Sequence, residues 1–174
     1  MPRRVTPEPP ILTFRVRLPG YVDEDDGTRV EDVRREIEAA ANQTLADLGE
    51  AIPAAFGFDD PHLWSFFLSG KAWDRAAEYA LESAPDPLWG ARARSARRVR
   101  LRDVPWPGAR GRKEFLFLFD YGDEWRFRVT LVRTTDAVDP GAGYPRVVAR
   151  HGDAPPQYED VDEDDEDADD EPAE

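Results

Sequence analysis

The segment Phe115-Leu-Phe-Leu-Phe-Asp-Tyr-Gly-Asp-Glu-Trp-Arg-Phe-Arg-Val-Thr-Leu131 limits the possible folds more than any other part of the chain. In its first run, apolar residues fall on both faces of an extended strand, so both faces need cover from other structure. In its second run Trp125, Phe127, Val129 and Leu131 alternate with Arg126, Arg128 and Thr130. A period of two with polar partners marks a strand with one face in water. Between the runs, Gly122-Asp123 reads as a two-residue II′ loop, whose first position asks for positive φ and so favours glycine. The expectation is a β-hairpin seated in a sheet.

The remaining segments supply partners for that hairpin. Residues 1–10 hold four prolines and read as an extended arm. Leu12, Phe14, Val16 and Leu18 line one face of a strand over 11–18, ended by Pro19-Gly20, and Asp23 to Thr28 reads as a solvated loop. The next stretch fits two patterns. Val30, Val33, Ile37 and Ala41 have helical spacing, whereas Val33, Arg35, Ile37 and Ala39 fit a strand that stops before Asn42-Gln43. Thr44 is an N-cap with Asp47 in the acidic place of a capping box. Leu45, Leu48, Ala51, Ile52, Ala55 and Phe56 form a stripe at helical spacing, and Gly57 supplies the stop. Pro53 lies inside this helix and predicts a kink or a short final turn. Asp59 to His62 reads as a turn and 63–68 as a strand. Trp73, Ala76, Ala77 and Ala80 fit a short helix, but Trp73 and Tyr79 fit a loop or strand equally. Val99 to Arg102 reads as a short edge strand, Pro105 to Gly108 as a turn, and Tyr144 to Ala149 as a last strand. Strands around one helix give an α+β domain, with an antiparallel or mixed sheet whose central hairpin packs on the helix. The domain runs over 11–158.

The net charge of −14 is unevenly distributed. Residues 159–174 carry 12 of the 37 acids and no Lys or Arg, which leaves 25 acids against 23 bases elsewhere. That composition, without aromatics, predicts a disordered acidic tail. Acids at Asp160, Asp162, Asp164 and Glu171 imitate a calcium loop, but Asp165 stands where such a loop needs glycine. The absence of cysteine excludes disulfides and thiolate metal sites. No apolar run approaches the roughly 20 residues of a membrane helix, and the start does not read as a secretory signal. A cytoplasmic protein with no membrane partner is the expectation.

Four blocks occur in order: Asn42-Gln-Thr-Leu-Ala-Asp-Leu48; Ala55-Phe-Gly-Phe-Asp-Asp-Pro-His-Leu-Trp-Ser-Phe-Phe-Leu-Ser-Gly-Lys-Ala-Trp-Asp74; Phe115 to Trp125; and Tyr144-Pro-Arg-Val-Val148 with Ala154-Pro-Pro156. Together they resemble the plasmid pRi ORF-three-like family, also described as insertion-element passenger TnpR-like proteins. The resemblance implies a small α+β fold of about this size. It also implies a strand just before the Asn-Gln-Thr-Leu helix start, which selects the strand for the stretch from Val33. Two departures stand out. Val33-Arg-Arg-Glu-Ile37 occupies the place of a Trp-Arg-Arg-Ile strand, and Gln157-Tyr158 follows the prolines where many members carry Cys-Gly-Gly. No role resting on that cysteine applies. The resolvase suggested by the second family description finds no Ser nucleophile in an arginine setting, and the resemblance carries no activity.

Candidate sites follow from residue type. His62, Asp120 and Asp123 form a set suited to a divalent metal or to acid–base work. Against this, Asp120 and Asp123 bracket a tight turn, where Asp accepts backbone hydrogen bonds, and this reading takes precedence. Of Trp64, Trp73, Trp89, Trp106 and Trp125, at least half are expected in the core, Trp125 among them, with Trp73 and Trp106 partly exposed. Arg92, Arg94, Arg97, Arg98, Arg100 and Arg102 place six arginines in eleven residues, followed by Arg110, Arg112 and Lys113. A solvated edge ranks first for this run, a contact with the acidic tail second, and nucleic acid third, with Trp89 and Trp106 available to stack on bases. The sequence favours a binding or accessory module of a mobile-element-associated family, acting through a groove between helix and sheet on an unknown protein or ligand, with no cofactor. The alternative is a metal-dependent hydrolase or nuclease-like enzyme using His62, Asp120 and Asp123.

Overall fold

A computed structural model describes residues 8–22, 27, 29–81, 93–106, 114–139 and 141–158. The expectations for most of the arm, the acidic loop after Val22, Trp89, Arg92, Arg110, Arg112, Lys113 and the tail over 159–174 lie outside the described residues.

Among the described residues the chain forms an α+β fold. Its strands are β1 (Ile11–Leu18), β2 (Tyr21–Val22), β3 (Arg29–Val30), β4 (Val33–Ala40), β5 (Trp64–Phe67), β6 (Glu78–Ala80), β7 (Arg94–Ser95), β8 (Phe115–Phe119), β9 (Trp125–Thr135) and β10 (Arg146–His151). One α-helix, α1 (Leu45–Phe56), joins β4 to β5. Eight strands make one sheet in the order β10-β4-β1-β9-β8-β5-β6-β7, and β2 pairs only with β3. Every neighbouring pair of the sheet is antiparallel except β6 and β7.

The pleat decides what each face carries, because alternate side chains point to opposite sides. Leu12, Phe14 and Val16 of β1, Val33, Ile37 and Ala39 of β4, and Phe127 and Val129 of β9 turn inward and are buried beneath α1. Phe115, Phe117 and Phe119 of β8 join them, while Leu116 and Leu118 face outward with Phe67 under Ala72 and Tyr121. The run predicted to be covered on both faces is therefore buried at all five positions. Phe66, Phe117 and Phe127 stand opposite one another across β5, β8 and β9.

The helix begins and ends where its signals lie. Thr44 Oγ1 accepts from Asp47 N at 3.1 Å, and Asp47 Oδ2 accepts from Thr44 N at 2.7 Å, completing the capping box. Gly57 closes the helix in the left-handed region at φ 81°, where a Cβ is costly. Past Pro53 the helix continues for one more turn, to Phe56. Gly49 sits where α1 crosses β5: a Cβ built there lies 2.4 Å from the Trp64 ring. Gly49→Ala therefore sets two effects against each other. Helix propensity favours alanine by about 1 kcal/mol, whereas overpacking a filled core costs about 1–3 kcal/mol. Because Trp64 is buried against Phe66 and Phe117, the steric effect wins, and urea unfolding of Gly49→Ala will show a lower midpoint than the native chain.

Two local expectations require correction, and one open alternative is decided. The hairpin loop is not Gly122-Asp123 alone, because β8 and β9 close at Phe119 opposite Trp125 and leave five residues between them. Positive φ falls on Asp120 (57°) and Glu124 (53°) instead of Gly122. Asp tolerates that region because its short side chain bonds locally: Asp120 Oδ1 accepts from Gly122 N at 2.9 Å, and Asp120 O accepts from Glu124 N at 2.7 Å. The segment Val99 to Arg102 is not an edge strand. Short 3₁₀ turns occupy Ala96–Arg98 and Leu101–Asp103, because the backbone between them bonds the helix approach: Val99 O accepts from Leu45 N, and Leu101 N and Arg102 N donate to Gln43 and Ala41 carbonyls. Around Trp73 no α-helix forms. A 3₁₀ turn over Arg75–Ala77 runs directly into β6.

Candidate functional site

The loop leaving α1 builds a polar constellation beside a concave surface. After Gly57, Phe58 stacks edge-on against Trp125 at 4.8 Å, which anchors the loop to the sheet. His62 then rests its ring edgewise on Phe119 at 5.7 Å. Its Nδ1 lies 3.3 Å from Asp120 Oδ2, and its Nε2 lies 2.5 Å from the Tyr158 hydroxyl. The Nε2–phenol pair is within hydrogen-bond distance, with donor and acceptor set by the imidazole tautomer, and Nδ1 is within ion-pair distance of the carboxylate. Asp120 is buried, its amide donates to Leu63 O at 3.0 Å, and its Oδ1 accepts from Gly122 N at 2.9 Å, so both its backbone and its carboxylate are fixed.

Tyr158 arrives through a second clamp. The Gln157 side chain is buried and pairs with the backbone of Asp60: Oε1 accepts from Asp60 N at 3.1 Å and Nε2 donates to Asp60 O at 3.2 Å. The phenol of Tyr158 is held above its usual value, first by desolvation and then by the negative charges of Asp60, Asp120 and Asp123. Gln157 and Tyr158 stand where the family resemblance places a Cys-Gly-Gly segment, and no local spacing pointed to them. Only the return of the C-terminal stretch to the 59–62 loop brings them to His62.

The structure thus joins two of the three predicted polar residues. Asp123 is exposed and lines a different cleft, with Leu18, Trp125, Arg128 and Tyr158. No group of three His, Asp or Glu among the described residues has metal-holding geometry. Beside His62, α1 and the sheet enclose a groove of 570 Å³. Its floor is Pro53, Phe58, Trp64 and Phe119, and its rim carries Glu50, Asp59 and Asp60.

The predicted tryptophan–arginine surface is dispersed. Trp106 belongs to the helix side, with its ring 4.9 Å from Phe14 and 5.1 Å from Phe115 and its Nε1 donating to Leu101 O at 2.7 Å. Trp73 lies on the opposite face, 39% exposed, at φ 63°, its ring against Tyr121 and its Nε1 donating to Glu124 Oε1 at 3.1 Å. Each arginine has its own surroundings. Arg94 stacks on Tyr79, Arg97 reaches Glu50 at 4.0 Å, Arg100 donates to Asn42 O at 2.6 Å, and Arg102 lies 3.9 Å from Asp103. Arg98 is exposed. Trp64 is fully core, and Trp125 packs against the core with its Nε1 buried and without an acceptor.

A buried carboxylate was also missed by the sequence reading. Glu78 is 2% exposed and accepts from Ser65 Oγ at 2.7 Å and from Arg75 at 3.0 Å, while Ser65 Oγ also meets the Tyr121 hydroxyl at 2.7 Å. Desolvation is the main influence that raises the Tyr121 phenol. The signal was absent because a glutamate within Ala-Ala-Glu-Tyr-Ala looks like a surface residue.

Geometry of this kind defines a small α+β domain with one capped helix across an antiparallel-dominated sheet, a groove between the two layers, and a His–Asp–Tyr chain at the groove wall. The chain belongs to the plasmid pRiA4b ORF-3-like family, whose model matches residues 26–165. It is 31% identical over 125 residues to the uncharacterized protein y4hQ of Sinorhizobium fredii, a match covering 72% of this chain and 58% of that protein. The chain therefore spans a little over half of that relative. Its fold is similar to the crystal structure of MM3350 from Methanosarcina mazei, a protein of unknown function, with a TM-score of 0.62 over 87% of this chain and 74% of that one, at 22% identity. These likenesses carry a fold and no chemistry. The family-like blocks meet in space: Gln43 Nε2 donates to Tyr144 O at 2.7 Å, and the Asp-Pro-His turn meets Asp120.

Proposed function

We propose that the protein is a non-catalytic binding module that holds a partner protein in the groove between α1 and strands β5 and β8. The observation that carries this reading is the groove's apolar floor of Pro53, Phe58, Trp64 and Phe119 beneath the acidic rim of Glu50, Asp59 and Asp60. Beside this floor, His62 braces the groove wall between Asp120 and Tyr158. A metal-dependent hydrolase would need Asp123 at the same cleft, and Asp123 faces another. The apolar floor under an acidic rim fits an apolar side chain followed by lysine or arginine. No helix among the described residues is long and apolar enough to cross a membrane, and the family description refers to a plasmid reading frame; both support a cytoplasmic accessory role tied to a mobile element.

Ala54 is exposed in this groove, so Ala54→Trp fills it without entering the core. Titration calorimetry with short peptides pairing Leu or Phe with Lys or Arg, and with the same peptides carrying Glu instead, tests the reading. The basic peptides are expected to bind the native chain and to lose about tenfold or more on Ala54→Trp. Equal binding of basic and acidic peptides, or no binding at all, would sink it.

A further inference from the structure

The outer sheet face, opposite α1, carries a row of arginines that no run in the sequence announces. Arg17 of β1 stands opposite Arg34 of β4 on one side and opposite Arg128 of β9 on the other. His151 of β10 extends the row past Arg34. Like charges facing one another across neighbouring strands are destabilising unless an anion compensates them. Arg17 is compensated, by Asp32 at 3.1 Å and Glu114 at 3.3 Å. Arg34 makes no ion pair within 4 Å among the described residues and shares the more distant charge of Asp32 with Arg17; Arg128 donates to Gly70 O, at 2.9 Å, and has no carboxylate there. Beside Arg34 the surface holds a small cavity of 210 Å³ bounded also by Arg15, Glu36, Arg150 and His151, with Glu36 paired to Arg15 at 2.9 Å.

We propose that residues 159–174 of the same chain lie along this row as an intramolecular anion. Tyr158, the last residue before that stretch, lines the same cleft as Arg126 and Arg128. On the groove side of Tyr158, Asp60 and Asp120 repel a polyanion, while the cleft itself carries Asp123 and Glu124 beside Arg126 and Arg128. The stretch carries 12 acids and no base, which complements a row whose arginines outnumber the carboxylates beside them. Reach is ample: the row crosses two strand spacings, about 10 Å, and sixteen residues extend up to about 50 Å. The surface is distinct from the groove of the proposed binding function. It would be shielded from other polyanions while the acidic stretch occupies it.

The chain has no cysteine, so Asp170→Cys in the full-length protein gives a single site for a nitroxide label. The label is expected to broaden the backbone amide signals of Arg15–Arg17, Arg34–Glu36 and Arg126–Thr130. The broadening should fade in high salt, where screening shortens to about 3 Å at 1 M. It should also weaken in the Arg34→Gln/Arg128→Gln double variant, whose backbone spectrum reports separately that the fold is intact. Broadening centred on Arg94 to Arg102 would overturn the proposal, as would broadening indifferent to salt. So would none beyond residues 155–158.

Discussion

Replacing Phe117 with alanine will lower folding stability by about 3–5 kcal/mol. Phe117 is fully buried in the middle of a transverse aromatic row, its ring 4.7 Å from Phe66 and 6.0 Å from Phe127, with Trp64 at 5.5 Å. Truncation removes the transfer free energy of the ring and leaves a void between rings that pleated strands hold apart, so the site collapses poorly. Since domains of this size are stable by only about 5–15 kcal/mol, the variant should sit close to unfolding at room temperature. Urea denaturation followed by tryptophan fluorescence measures this as a lower midpoint with unchanged slope, and Phe117→Leu should lose markedly less. A loss under about 1 kcal/mol for the alanine variant would mean that the rings are not packed as described.

Arg35→Met should cost about 2–3 kcal/mol, for a different reason. Arg35 is 5% exposed and has only backbone oxygens as hydrogen-bond partners: Ala55 O at 3.0 Å, Arg34 O at 2.8 Å, His151 O at 3.1 Å and Gly152 O at 3.0 Å. Its guanidinium lies over the Phe56 ring, and desolvation followed by repulsion from Arg150 depresses its pKa. Ala55 O belongs to the last turn of α1, so the cation sits at the negative end of the helix dipole, where Arg150 also donates at 2.7 Å. Methionine keeps the packing on Phe56 and relieves the desolvation of a buried charge, which offsets part of the loss. It cannot replace the donors, and each buried acceptor left unmade costs about 1–3 kcal/mol. Hydrogen exchange should therefore speed up first in β10 and at the end of α1. Arg35→Lys should fall between, because an ammonium lacks the fork that reaches four carbonyls. Stability equal to the native chain in Arg35→Met would show that this link between β4, β10 and the helix end is dispensable.

Most of the elements were legible because their signals are local. The Thr44–Asp47 box and Gly57 bounded the helix within the residues that form it, and alternation placed β1 and β9 on the correct faces. The stretch from Val33 shows where local pattern stops. Val33 and Ile37 fit both periods, and the strand prevails through pairing with β1 on one side and β10 on the other. Arg35 makes the same point: it occupies an inward position of that strand as a buried cation, which no hydrophobicity pattern foretells. The hairpin loop failed for a related reason. Glycine was read as the residue needing positive φ, but Asp120 takes that conformation because its carboxylate bonds Gly122 N and faces His62.

The candidate site was half legible. His62 and Asp120 were selected by residue type and do meet; Tyr158 and Gln157, distant in sequence and chemically unremarkable there, were not. Trp73 and Trp106 looked alike beside their turns and went to opposite faces of the sheet.

Periodicity, caps and the acidic excess at the C-terminal end were properties of the sequence alone, since they depend on neighbours a few residues apart. Strand order, the burial of Arg35 and Glu78, the His62–Asp120–Tyr158 chain and the Arg34–Arg17–Arg128 row came only from the tertiary structure. Each of them joins residues from separate strands or loops, and cross-strand register decides which side chains stand face to face.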